Sequence, residues 1–134
     1  MSSNVTANAW GEIFHHESEE ILELRWLPAK MTDAAFKATL ALLVWQAETL
    51  RPRFVLIDAR EFRHQFSAGV MQWRVDSIIP RYGAAGVTKF AFLMPDGFPH
   101  TMEKGGNEGI DGPAIFPTAR FSRRENAIAW FQKK

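Results

Sequence analysis

The chain contains no cysteine, which excludes disulfides, thiolate nucleophiles and every zinc site built on sulfur. It also lacks an excess of charge, since sixteen basic residues against fifteen acidic ones leave a formal net charge of +1. Steering toward a phosphate polymer needs a strong positive field, and this balance supplies little of one. No nucleic-acid partner is expected. No window approaches the roughly eighteen consecutive apolar residues of a membrane span. Met1 to Asn8 carry neither the basic nor the apolar region of an export signal. A cytoplasmic protein is the expectation. P-loop, dinucleotide, zinc and EF-hand spacings are all missing, so neither a cofactor nor a metal is expected.

What is present describes a foldable unit. The 134 residues are 46% hydrophobic and 23% charged, an ordinary balance for a globular domain of this size. The expected organisation is a flexible N-terminal arm over 1–9 and a single domain over 10–134. That domain contains a long loop over 95–114, rich in glycine at Gly97, Gly105, Gly106, Gly109 and Gly112. A loop of that length in a small domain usually carries function or is disordered.

Periodicity supplies the elements. Trp10 to Glu17 and Ile21 to Trp26 read as strands joined by an acidic turn. In the second, Leu22, Leu24 and Trp26 alternate with Glu23 and Arg25, the pattern of a sheet with one wet face. Thr32 caps a helix whose Phe36, Leu40, Leu43, Ala47 and Leu50 recur on one stripe. Phe54 to Ile57, ending at Asp58, and Phe90 to Met94 are short continuous apolar runs, as suits parallel strands covered on both faces. Between them a helix starts near Ser67, with Met71, Val75, Ile78 and Tyr82 on one face and Val70 and Trp73 widening it. Pro80 is expected to kink or break it, and Gly83 and Gly86 to close it. A last strand falls within Ile115 to Phe121. Ser122-Arg123-Arg124-Glu125 has the spacing of a capping box opening a C-terminal helix. The fold class is therefore α/β, in the order β-β-α-β-α-β-β-α, with a mixed, mostly parallel sheet packed with helices.

That order, with Arg53-Phe54-Val55-Leu56-Ile57-Asp58, Phe66-Ser67-Ala68-Gly69-Val70 and Ala85-Gly86-Val87-Thr88-Lys89-Phe90-Ala91-Phe92, resembles the STAS and SpoIIAA-like group of anti-sigma-factor-antagonist domains, related in structure to Sec14-type lipid-binding domains. The resemblance runs from about Trp10 to Phe131. It implies a SpoIIAA-like fold and, at the position of Ser67, a serine phosphorylated by a partner kinase, with Gly69 at the matching glycine. Phe66 stands where that motif has an aspartate, and Ala68 where it has a second serine.

Open α/β sheets collect ligands at the carboxyl ends of their strands. The candidate binding edge comprises Asp58, Arg60, His64, Ser67, Gly69, Trp73 and Asp96, with Ser67 as the candidate phosphorylation or switch site. The plain role of Ser67 is a helix N-cap. A Ser67, His64 and Asp58 triad lacks the flanking glycines of a nucleophile elbow, and no catalytic residue is assigned. His15 and His16 are adjacent on a strand and point to opposite faces, so they do not share a metal. The five tryptophans, Trp10, Trp26, Trp45, Trp73 and Trp130, read as packing groups; Trp45 and Trp73 alternatively line an apolar cleft or a partner surface.

The function expected from this is a non-enzymatic regulatory or protein-interaction domain. A carrier or sensor of a small apolar ligand or lipid is the alternative, and an enzyme of unrecognised chemistry a third reading. Self-association into a homodimer through an exposed aromatic patch is a further expectation.

Overall fold

The computed structural model describes residues 2–62, 69–94 and 118–133, apart from the side chains of Ser2 and Met71. Six strands form one mixed sheet: β1 (Ser2–Ala7), β2 (Gly11–His16), β3 (Ile21–Trp26), β4 (Phe54–Asp58), β5 (Lys89–Leu93) and β6 (Thr118–Phe121). Their spatial order is their chain order. The first three pair antiparallel, whereas β3, β4, β5 and β6 run parallel to one another. Helix α1 (Asp33–Leu50) connects β3 to β4, and α2 (Val70–Trp73) and α3 (Ile79–Ala84) lie between β4 and β5. Helix α4 (Arg124–Gln132) follows β6. The two apolar runs lie side by side in one direction, Phe54 opposite Lys89 and Asp58 opposite Leu93.

Two cores result, because successive residues of a strand point to opposite faces. On one face Leu22, Leu24, Val55, Ile57 and Phe90 meet Phe36, Leu40, Leu43 and Ala47 of α1 together with Ile78 and Tyr82. On the other, Phe54, Leu56, Ala91, Leu93 and Phe121 meet Trp130 and Phe131 of α4. Phe54 stacks on Phe131 with ring centroids 4.7 Å apart. Lys89 fastens the end of α4: its Nζ donates at 2.7 Å to the carbonyls of Trp130 and Lys133, placing a cation where a helix terminus carries partial negative charge.

Four details depart from the sequence reading. Residues 1–9, read as a flexible arm, supply β1. Asn8 builds the turn that makes it a strand: its Oδ1 accepts from the amides of Trp10 and Gly11 at 2.9 Å, and its Nδ2 donates to Thr39 at 3.0 Å. A polar edge strand needs only backbone pairing, so hydrophobic periodicity does not announce it.

The second concerns β3. Glu23, expected on a wet face, is completely buried, because α4 covers that face of the sheet.

The third is the helix between β4 and β5. Pro80 does not break it. Instead, Arg74–Ile78 forms a π-helical turn, with Pro80 in the first turn of α3 that follows. The wider turn changes which residues face the sheet. Val70, Arg74, Ile78 and Tyr82 are buried, and Val75 is only half-buried.

Lastly, the capping box at Ser122 is not formed: Arg123 occupies the N-cap of α4 and no side chain caps it. Thr32 does cap α1, accepting from Ala35 N at 3.1 Å. The final strand begins at Thr118; residues 115–117 and the loop 95–114 lie outside the described residues.

Candidate binding pocket at the carboxyl edge

Strands β3 and β4 are parallel neighbours, so their carboxyl ends open on the same edge, with Arg25 in register with Asp58. Beyond β4 the chain turns at once. Phe62 N donates to Ala59 O at 3.1 Å, and Ala59 N donates to Leu93 O at 2.9 Å, tying the turn to β5. The Phe62 ring anchors the far side of the turn, sitting 4.9 Å from Trp26 and 5.7 Å from Phe36 between centroids. Arg60 and Glu61 are thereby held over the edge.

Asp58 and Arg60 close a compact ring. Asp58 Oδ1 accepts from the Arg60 amide at 3.2 Å and from Arg60 Nε at 3.0 Å, and Oδ2 accepts from Arg60 Nη2 at 2.8 Å. The paired guanidinium fork is the strong geometry for a carboxylate. Burial works to raise the Asp58 pKa. The side-chain and backbone hydrogen bonds of Arg60, with the charges of Arg60 and Arg25, outweigh it and hold the carboxyl below its ordinary 3.8. Reciprocally, the hydrogen bond to Asp58 raises the Arg60 guanidinium further, against the pull of burial.

This ring lines an open pocket of about 400 Å³, with Leu27 and Pro28, backed by the buried Trp26, as its apolar wall and Arg25 and Glu61 as its other charged residues. The volume is in the range of small-ligand sites. Arg25 and Arg60 keep 44% of their side-chain surface in solvent, whereas Asp58 is buried.

Behind the pocket, on the face covered by α4, lies a charged cluster. Glu23 Oε1 meets Arg124 Nη1 at 2.6 Å and His16 Nε2 at 2.7 Å, and Glu23 Oε2 accepts from Arg25 Nη2 at 3.4 Å. Arg124 Nη2 lies 3.2 Å from the same His16 nitrogen. Arg25 thus reaches from the cluster to the pocket rim. Its guanidinium also lies over the Phe14 ring, with Cζ 4.6 Å from the centroid, a cation–π contact.

Of the residues expected at the binding edge, Asp58 and Arg60 come together here. Gly69 has φ +94° with open space where a Cβ would project, so the backbone alone calls for glycine ahead of α2. Trp73 lies apart from the pocket, half-buried on α2 with Lys37 Nζ 5.3 Å from its ring centroid. Trp45 is also elsewhere, on the outer side of α1 with 57% of its surface exposed. His64, Ser67 and Asp96 lie outside the described residues.

Sequence reasoning did not reach Arg25, Trp26, Leu27, Pro28 or Glu61 as pocket residues. The available signal was positional: a parallel neighbour ending in Arg25-Trp26-Leu27-Pro28 must deliver those residues to the same edge as Asp58. Among the described residues, no group of three His, Asp or Glu side chains could hold a metal ion, and no helix is long and apolar enough to cross a membrane. Comparison with protein-family models, with curated proteins and with solved structures finds no match for this chain.

Proposed function

We propose that the chain is a non-enzymatic regulatory or protein-interaction domain of the STAS/SpoIIAA-like type, whose partner docks across the carboxyl edge of β3 and β4. The observation that carries this is the Asp58–Arg60 ring lining an open pocket. Asp58 is kept ionised and accepts three hydrogen bonds from one residue, which leaves it poorly suited to take up a proton as a general base. The same ring makes a rigid polar floor, and a preorganised surface of that kind lowers the ordering cost of docking. The open, charged rim favours a polar partner over storage of a lipid, which would require an enclosed apolar chamber. The family resemblance adds Ser67 as the position where a partner kinase would act on such a domain.

A photo-crosslinking amino acid placed at Glu61, on the edge, and at Glu19, an exposed residue before the amino end of β3, tests the reading in cells. A discrete protein adduct from position 61 and none from position 19 is expected. No discrete adduct from the edge, or equal adducts from both positions, would overturn it.

A further inference from the structure

Among the described residues, the hydrogen-bonding capacity of the Arg25 side chain in this pocket is largely unused. A guanidinium offers five N–H donors. Among the described residues, Arg25 makes a single hydrogen bond, to Glu23 at the long distance of 3.4 Å. Glu23 is bound more closely by Arg124 and His16, both at its other oxygen. The donors of Arg25 are therefore largely unengaged among the described residues, while Asp58, in register with it, accepts three hydrogen bonds from Arg60 at 2.8–3.2 Å. What the pocket has to offer a ligand is donors beside an apolar wall. A cation–π contact with Phe14 anchors the guanidinium, its Cζ 4.6 Å from the ring centroid.

We propose that this pocket binds an oxyanion, a carboxylate or phosphate, carried on a short apolar group, with Arg25 gripping the anion and Leu27 and Pro28 receiving the apolar part. The inference rests on the docking reading above and names the chemistry the docked group presents. Planar fork recognition pairs two N–H donors with two oxygens, which adds direction as well as attraction. The apolar wall sets a second requirement. A bare inorganic anion fills only half of the site, and an anion attached to a branched aliphatic group fills both halves. Such a group belongs either to a free small acid or to an acidic side chain beside an aliphatic one on a partner.

Side-chain and amide nitrogen NMR of the full chain tests this with three probes at matched ionic strength: inorganic phosphate, isovalerate and the blocked dipeptide acetyl-Leu-Glu-amide. Saturable shifts of the Arg25 Nε–H and of the amides at 25–27 and 58–61 are expected, with the two apolar-bearing probes binding more tightly than phosphate. Tighter binding of isovalerate points to a free acid, and tighter binding of the dipeptide to a partner's side chain. Arg25→Gln should weaken binding about ten- to hundredfold, the loss of a charge-assisted hydrogen bond. Arg53→Gln, at an exposed arginine at the other end of the sheet, should leave it unchanged. Arg25→Lys keeps the positive charge beside Glu23 but not the fork, and is expected to bind at least about tenfold more weakly than the wild type. It supplies the same test if Arg25→Gln does not fold. Shifts that fail to saturate with all three probes, or that persist unchanged in the folded Arg25 variants, would overturn the oxyanion site. Edge cross-links present in the wild type, with titrations that fail to saturate, would leave partner docking intact and remove the oxyanion inference alone. Edge cross-links absent from the wild type, with the titrations intact, would remove docking alone.

Discussion

Glu23 of β3 and Arg124 of α4 meet at 2.6 Å in the interior of the sheet's second face, so the last helix is held to the middle of the sheet by charge as well as by the apolar contacts of Trp130 and Phe131. Burying a carboxylate is costly unless cations compensate it, and here Arg25 joins Arg124 in doing so, with His16 Nε2 at hydrogen-bond distance. Removing the carboxylate leaves those cations facing each other. Glu23→Ala is expected to destabilise the fold by about 3–5 kcal/mol, measured as a shift in the urea unfolding free energy. Arg123→Ala removes only a 3.9 Å contact to Glu125 between two exposed groups and should leave the unfolding curve unchanged.

Asp58 sets an acid-side dependence. Its folded pKa lies below the ordinary 3.8, so the folded state favours the ionised carboxylate. The resulting stabilisation is complete above the ordinary carboxylate value and is lost as the pH falls through the folded value. Urea midpoints of the wild type and of Asp58→Asn, compared across a pH series, should differ by a constant amount at neutral pH and converge on acidification. A gap that widens toward acid would reverse the assigned sign.

Tyr82 is the only tyrosine, and its hydroxyl is buried without a hydrogen-bond partner among the described residues. Burial pushes its ionisation above the usual phenol range, outweighing the nearby charges of Arg74 and Arg81. The ultraviolet absorbance of tyrosinate should therefore appear only as the protein unfolds in alkali. Tyr82→Phe keeps the ring contact with Phe90, at 5.2 Å between centroids, and removes an unsatisfied polar group. Thermal melts should show it as stable as the wild type, or more stable by about 1 kcal/mol. Tyr82→Ala should cost about 3–5 kcal/mol through the cavity it leaves.

The two helix starts are predicted to differ. Thr32→Ala removes the side-chain acceptor that holds Ala35 N and should cost about 1 kcal/mol. Ser122→Ala should be close to silent in the same melts, because the Ser122 hydroxyl caps nothing on α4.

Legibility in the sequence followed the strength of the local signal. Helix α1 and strands β4 and β5 stood out because their apolar residues repeat over enough positions for a period to be read, and the parallel edge that carries Asp58 and Arg60 followed from them. Glu23 was misplaced because alternation along β3 tells which residues share a face, and not whether a helix more than ninety residues later in the chain covers it. Arg74 was missed for a different reason. Helical periodicity assumes a constant turn, and the π-helical widening over Arg74–Ile78 moves the arginine inside where the regular spacing places Val75. Its guanidinium then lies 5.9 and 5.6 Å from the ring centroids of Phe90 and Phe92, an environment a cation tolerates next to aromatic faces. Arg25 reads in sequence as one more solvent-side charge. Its place at the pocket rim follows only once β3 is set parallel beside β4, a pairing that periodicity within either strand does not announce.

Because each strand of the sheet lies beside the one made just before it, no later segment has to wedge between two that are already joined. The sheet can grow at one margin as the ribosome releases the chain, and each new margin is capped by the next strand to emerge. Only the final helix covers the second face, so a nascent chain halted before α4 would display Phe54, Leu56, Leu93 and Phe121 to the cell's quality-control machinery.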